Sequence, residues 1–297
     1  YAKYLRKMSE SNGVKRIEGK IAEVKQDTDS GFITSVQLES GTEIAGDFFV
    51  DCTGFRGLLI EQTLKTGYED WSHWLPCDRA IAVQTESVGA AVPYTQSIAH
   101  DSGWRWRIPL QHRVGNGLVY CSRYISDEDA RATLLNSIQG KTLIEPRLIK
   151  FQTGRRTKSW NRNCVALGLA SGFIEPLEST SIHLIMMGVT RLMHLFPFNG
   201  VTDALMNEYN QISRIEMEQL RDFIVLHYKT TEREDTPFWE YCKNMEIPET
   251  LQHRIDLFKQ SAHAYQANGE LFRVDSWTQV MFGQRLMPEH YHHLAQT

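Results

Sequence analysis

The sequence predicts a mixed α/β protein in which a sheet-bearing portion is followed by a helical region. Three observations carry this. Residues 14–50 and 80–124 alternate apolar and polar side chains in the period of a strand. Beyond Val201 the apolar positions recur at helical spacing. The composition, 41% hydrophobic and 23% charged over 297 residues, is that of an ordinary packed chain.

The elements follow in order. Ala2 to Met8 reads as the end of a helix. Val14-Lys15-Arg16-Ile17, Ile21-Ala22-Glu23-Val24 and Phe32-Ile33-Thr34-Ser35-Val36 read as strands, with turns at Asp29-Ser30-Gly31 and Ser40-Gly41. Phe48-Phe49-Val50 is a continuous apolar run and reads as a buried strand emptying into Asp51-Cys52-Thr53-Gly54. Between residues 80 and 124, Asn116-Gly117 is the hairpin-turn signal. Ser126, with Asp129 three residues on, caps a helix through about Ile138. A strand at Val165-Ala166-Leu167 leads through a loop into an amphipathic helix from about Thr180 to Leu195, closed by Pro197. Further helices are expected over about 203–226 and 249–263. The division this predicts is 1–195 and 196–297.

Several function classes drop out. The net charge of −4 argues against a dedicated nucleic-acid binder. The apolar stretch around Ile182 to Met187 is too short to span a bilayer. Five scattered cysteines without a C-x-x-C pair read as reduced thiols, which together with the missing leader predicts a cytoplasmic protein. Gly140-Lys141-Thr142 has Leu135 where a P-loop requires glycine, and Gly115-Asn116-Gly117 lacks the third glycine of a dinucleotide fingerprint. His290-Tyr291-His292-His293 fits a zinc site loosely, so no metal is expected. The chain opens on Tyr1 and stops at Thr297 without a capped element, which reads as a fragment of something longer.

Three segments carry chemistry. In Gly103-Trp104-Arg105-Trp106-Arg107-Ile108-Pro109, two tryptophans two residues apart share one face of a strand and make an aromatic wall. Core packing is the other reading of that pair. In Pro176-Leu177-Glu178-Ser179-Thr180-Ser181-Ile182-His183, a proline loop enters a helix whose first N–H groups suit an anion. Glu178 lies beside them, suited to proton work; the alternative makes Ser179 a helix N-cap and Glu178 a surface acid. Finally His227-Tyr228, Glu234 and Phe238-Trp239 either grip a flat ligand bearing an amine or pack a helix end onto the body.

Together these segments resemble the flavin-dependent tryptophan halogenase family. The W-x-W-x-I-P run at Trp104 to Pro109 looks like its distinguishing motif, and Pro176 to Thr180 looks like its catalytic loop. Asp51 to Leu59, Gly154-Arg155-Arg156 and Trp277 to Gln284 match in the family's order. The resemblance implies a flavin-monooxygenase-like FAD-binding fold with an antiparallel substrate sheet and an added C-terminal helical region. It implies that reduced FAD from a separate flavin reductase, with O2, oxidises chloride or bromide to hypohalous acid. A lysine and a glutamate then direct that reagent onto an indole.

Carried over by position, the resemblance makes Glu178 the catalytic glutamate with Ser179 its neighbour, and gives the halide to the backbone of Thr180 and Ser181. It makes Trp104, Trp106, Ile108 and Pro109 the wall between flavin and substrate, and Ile21, Gly54, Leu169 and Ile182 flavin contacts. It assigns His227, Tyr228, Glu234, Phe238 and Trp239 to the substrate. Ser181 stands where glycine is usual and His227 where tyrosine is common. The glycine-rich FAD fingerprint and the lysine belong upstream of Tyr1, so the fragment by itself is expected to be inactive. A hydroxylating flavin monooxygenase and a non-catalytic indole-binding relative are the competing readings. A homodimer is the base-rate expectation.

Overall fold

The computed structural model describes residues 2–293. Tyr1 and Thr297, the ends on which the expectation of a fragment rests, lie outside the described residues.

The centre of the structure is a five-stranded antiparallel sheet in the order Arg147–Lys150, Arg79–Thr85, Val114–Tyr120, Gly103–Pro109, Gln96–His100. One face packs on helix Asp127–Ser137, whose start is closed as expected by Ser126 Oγ accepting from the Asp129 N–H. Among the described residues there are three further sheets of three strands each. Ile21–Gln26, Ile33–Leu38 and Glu43–Ala45 form a meander, and Phe49–Asp51 runs parallel to Cys164–Ala166. At the end of that parallel strand Asp51 is buried. Its two carboxylate oxygens accept from Thr53 on one side and from the N–H groups of Leu59 and Ile60 on the other, tying the Asp51–Leu59 loop into one turn.

Three expectations about these strands need correction. Asn116-Gly117 is not a turn but the middle of strand Val114–Tyr120; the reversal comes earlier, where the Leu110 N–H donates to the Arg113 carbonyl. The pair is used for packing instead. Asn116 donates to Thr85 Oγ1 at 3.1 Å, and a Cβ on Gly117 would lie 2.0 Å from the Trp106 ring. Residues 14–17 form no strand; the alternating stretch there is an exposed lead-in to Ile21. Phe49–Asp51 is a strand but not a fully buried one, since Val50 is 43% exposed.

The helices agree with the reading more closely. Those expected are found at Ala2–Ser11, Asp127–Ser137, Ser181–His194, Asp203–Lys229 and Glu249–Ser261, and Pro237–Asn244 and Val274–Gly283 are helices that the sequence reading did not name. The largest buried cluster joins the central sheet to the helices, running from Trp71, Leu75 and Trp104 to Phe223, Phe238, Phe258 and Trp277. Helix Ser181–His194 stands apart: Ile182, Met186 and Met193 leave it with a large exposed apolar face. Among the described residues no helix is long and apolar enough to cross a membrane.

Candidate functional site

Glu178 sits at the end of a short 3-10 turn, Pro176–Glu178, that delivers the chain to helix Ser181–His194. Pro176 holds Glu175 extended before it. Ser179 then takes a left-handed conformation, φ 55°, which is uncommon for a residue with a Cβ and occurs where the surroundings over-determine the backbone. This corrects the N-cap reading. Ser179 closes the preceding turn by donating its N–H to Pro176, and the N-cap position belongs to Thr180, whose side chain makes no capping bond.

The two acids of this loop have different surroundings. Glu178 is about one-third exposed, and its Oε1 meets His227 Nε2 at 3.0 Å. Glu175 is fully buried. Its Oε2 accepts from the Tyr228 hydroxyl at 2.8 Å and from the Trp104 indole N–H at 3.3 Å, while Oε1 has no partner. Burial pushes the Glu175 carboxyl up to about 7, against the pull of the Tyr228 and Trp104 donors. The same burial pushes the Tyr228 hydroxyl well above its ordinary range.

Glu175 thus joins the tryptophan strand to the last turn of helix Asp203–Lys229, and sequence reasoning missed it. The available signal was an acid wedged between Ile174 and a proline in an apolar stretch, where solvation is least available.

The tryptophans themselves are close, with ring centroids 6.1 Å apart and planes at 56°. Trp104 is buried in the main cluster; Trp106, Ile108 and Pro109 are half-buried. In the expected substrate set, Tyr228, Phe238 and Trp239 do gather. Tyr228 stacks on Trp239 at 6.0 Å, and Phe238 meets both edge-on. Their polar ends are already engaged: the Trp239 indole donates to the His100 carbonyl at 2.7 Å. Glu234 stands apart on the surface, paired with Lys243.

A cavity of about 430 Å³ opens beside them, lined by His227, Thr231, Arg233, Trp239 and Gln284 among others. Among the expected flavin contacts, Gly54 and Leu169 lie on two 3-10 turns that pack together, next to a second cavity of about 460 Å³ lined by Phe55, Arg56, Arg156 and Leu169. Ile182 is 66% exposed on the apolar face of its helix, and Ile21 begins the outer meander. Among the described residues no group of three or more His, Cys, Asp or Glu side chains is arranged to hold a metal.

Comparison with known proteins gives these features a common context. The tryptophan halogenase family model matches residues 1–297. The tryptophan 6-halogenase SttH of Streptomyces toxytricini is 40% identical over 263 residues, which is 87% of this chain and 50% of that protein. The tryptophan 7-halogenase RebH of Lentzea aerocolonigenes is 34% identical over 263 residues, 87% of this chain and 49% of that one. A solved flavin-dependent halogenase from Xanthomonas campestris superposes with a TM-score of 0.98 at 52% identity, covering 100% of this chain and 60% of that one. The chain therefore spans about half the length of the curated relatives it matches. Its mixed α/β architecture with antiparallel sheets is that of flavin-dependent halogenases, and the chain belongs to the tryptophan halogenase family.

Proposed function

We propose that these residues belong to an enzyme that halogenates an indole ring, using reduced FAD from a separate flavin reductase, O2 and chloride or bromide. The observation that carries this reading is Glu178, held by a left-handed Ser179 at the mouth of an uncapped helix and beside an aromatic cluster.

The residues present fit a flavin. A Cβ at Gly54 would meet nothing within 4 Å, leaving open backbone beside a cavity with both apolar and cationic walls. Leu169, which lines that cavity, offers exposed apolar contact. When bound, reduced flavin supplies the activation of O2 that oxidises halide to hypohalous acid.

The remaining work falls to side chains and backbone of this chain. The N–H groups of Thr180 and Ser181, at the positive end of helix Ser181–His194, favour a halide anion. Trp104 and Trp106, with Ile108 and Pro109, separate flavin from substrate, so that oxygen is not inserted directly. Glu178 hydrogen-bonds the hypohalous acid and holds it against one carbon of a fixed ring, which is what selectivity requires of so reactive a reagent. It then accepts the proton that leaves the arenium carbon as the carbon–halogen bond is made.

Recognition rests on the ring. The Tyr228 hydroxyl is spent on Glu175 and Glu234 on Lys243, so neither is free to hold an amino-acid end group. His227, Phe238 and Trp239 supply the surface for a flat aromatic, which favours an indole over a substrate held by its amino-acid end.

In the whole protein carrying these residues, Glu178→Gln lowers halogenation at least about a hundredfold, the low end for a positioned acid–base group, and leaves flavin binding intact. Turnover near that of the natural protein would overturn the role given to Glu178.

A further inference from the structure

His227 stands in the substrate set by position, yet its ring makes contacts that an aromatic wall does not need. Nδ1 lies 2.8 Å from the Phe223 carbonyl oxygen one helical turn back. A carbonyl oxygen only accepts, so Nδ1 carries a hydrogen. The ring is held further by edge-on contact with Phe223 at 5.1 Å, and Phe223 stacks on Phe272 at 3.8 Å. Nε2 faces Glu178 Oε1 at 3.0 Å. A neutral ring with its proton on Nδ1 would point the Nε2 lone pair at a carboxylate oxygen. The contact therefore requires one more proton between the two groups. A proton carried on Nε2 meets that requirement and sets an imidazolium against a carboxylate.

We propose that His227 is the positioning residue of Glu178: as imidazolium it donates Nε2–H to Oε1, fixes the carboxylate, and leaves Oε2 to the reagent and the departing aromatic proton. This rests on the halogenase reading and gives His227 a role that a tyrosine hydroxyl could not fill with a charge. The other charged groups around the ring are engaged elsewhere. Glu232 pairs with Arg285 at 2.9 Å, and Arg233 pairs with Asp235 at 2.7 Å and with Asp101 at 3.4 Å. On its own helix, Lys229 donates to the carbonyls of Lys243 and Met245. Glu178 is thus the acidic group that His227 faces.

Nitrogen NMR of histidine-labelled protein at neutral pH tests the pairing without any cofactor. His227 is expected to carry protons on both ring nitrogens, and Glu178→Gln is expected to leave a neutral ring protonated on Nδ1 alone. A neutral ring in the natural protein, or the same ring state in both proteins, overturns the proposal. A second arm reads function on indole. His227→Phe is expected to lower kcat roughly tenfold to a hundredfold, the worth of one charge-assisted hydrogen bond. The KM for indole should stay within about threefold if the loss is confined to the reacting step. His227→Gln, which keeps a donor, should recover most of that loss. A Phe variant that raises KM and spares kcat would overturn the positioning role and leave His227 with substrate binding alone. If the natural protein leaves indole unhalogenated, the functional reading falls while the NMR still decides the pairing.

Discussion

Glu175 and Glu178 lie three residues apart in one loop, and burial gives them different roles. Glu178 keeps partial access to solvent and an ion-pair partner in His227. Glu175 has neither, and its carboxyl is raised from 4.5 to about 7 by desolvation. The consequence for stability has a definite sign. A carboxyl whose folded value lies above its unfolded one binds protons more tightly when folded, so its contribution is fully present at low pH. It is lost as pH rises from 4.5 towards about 7. Glu175→Gln removes the titration. Thermal unfolding followed at pH 5 and pH 7.5 should therefore fall less steeply with rising pH in that variant than in the natural protein. Equal slopes would mean that Glu175 does not titrate in this window. Spacing left Glu178 open between proton work and a surface acid, and the family resemblance gave it the catalytic role. Neither singled out Glu175, because what distinguishes that residue is a tertiary contact with Trp104 and Tyr228, 71 and 53 residues away.

Among the elements, those with long periodic runs were legible and those fixed by packing were not. Helices Ser181–His194 and Glu249–Ser261 fall within a few residues of their expected bounds, since prolines and apolar spacing agree locally. Asn116-Gly117 misled for a physical reason. Its glycine is required by the Trp106 ring that lies over it, not by a turn, and a local signal cannot distinguish the two. Gly117→Ala tests this. The new Cβ would overlap Trp106, so the strand or the ring must shift, at a cost of about 1–3 kcal/mol in urea unfolding together with a change in tryptophan fluorescence. An unchanged midpoint and spectrum would contradict the close packing of Trp106 on Gly117. Ser179 is a similar case: its left-handed backbone is set by the loop around it, and serine carries no local signal for that geometry.

For the whole molecule, the order of sheet and helix was readable from pattern, whereas the make-up of the small sheets depends on pairings between distant segments. Phe49–Asp51 beside Cys164–Ala166 is one such pairing. Burial also sorts the thiols. Cys77, Cys121, Cys164 and Cys242 are buried and Cys52 is exposed. Ellman's reagent should therefore titrate one thiol in the native chain and all five after unfolding. Partial desolvation, followed by the charge of Asp51, raises the Cys52 thiol, so its reaction should be slow at neutral pH and quicken as pH rises. Rapid titration of several thiols in the native chain would contradict the packing described.

The central claim is that this assembly directs a halogen, not an oxygen atom, onto an indole. Mass analysis of the product tests it most directly, with the whole protein, a flavin reductase, FAD and indole in the presence of bromide, of chloride, or of neither. A brominated product is expected in the first, a chlorinated product or none in the second, and unmodified indole in the third. A hydroxylated indole that forms equally well without halide would contradict it.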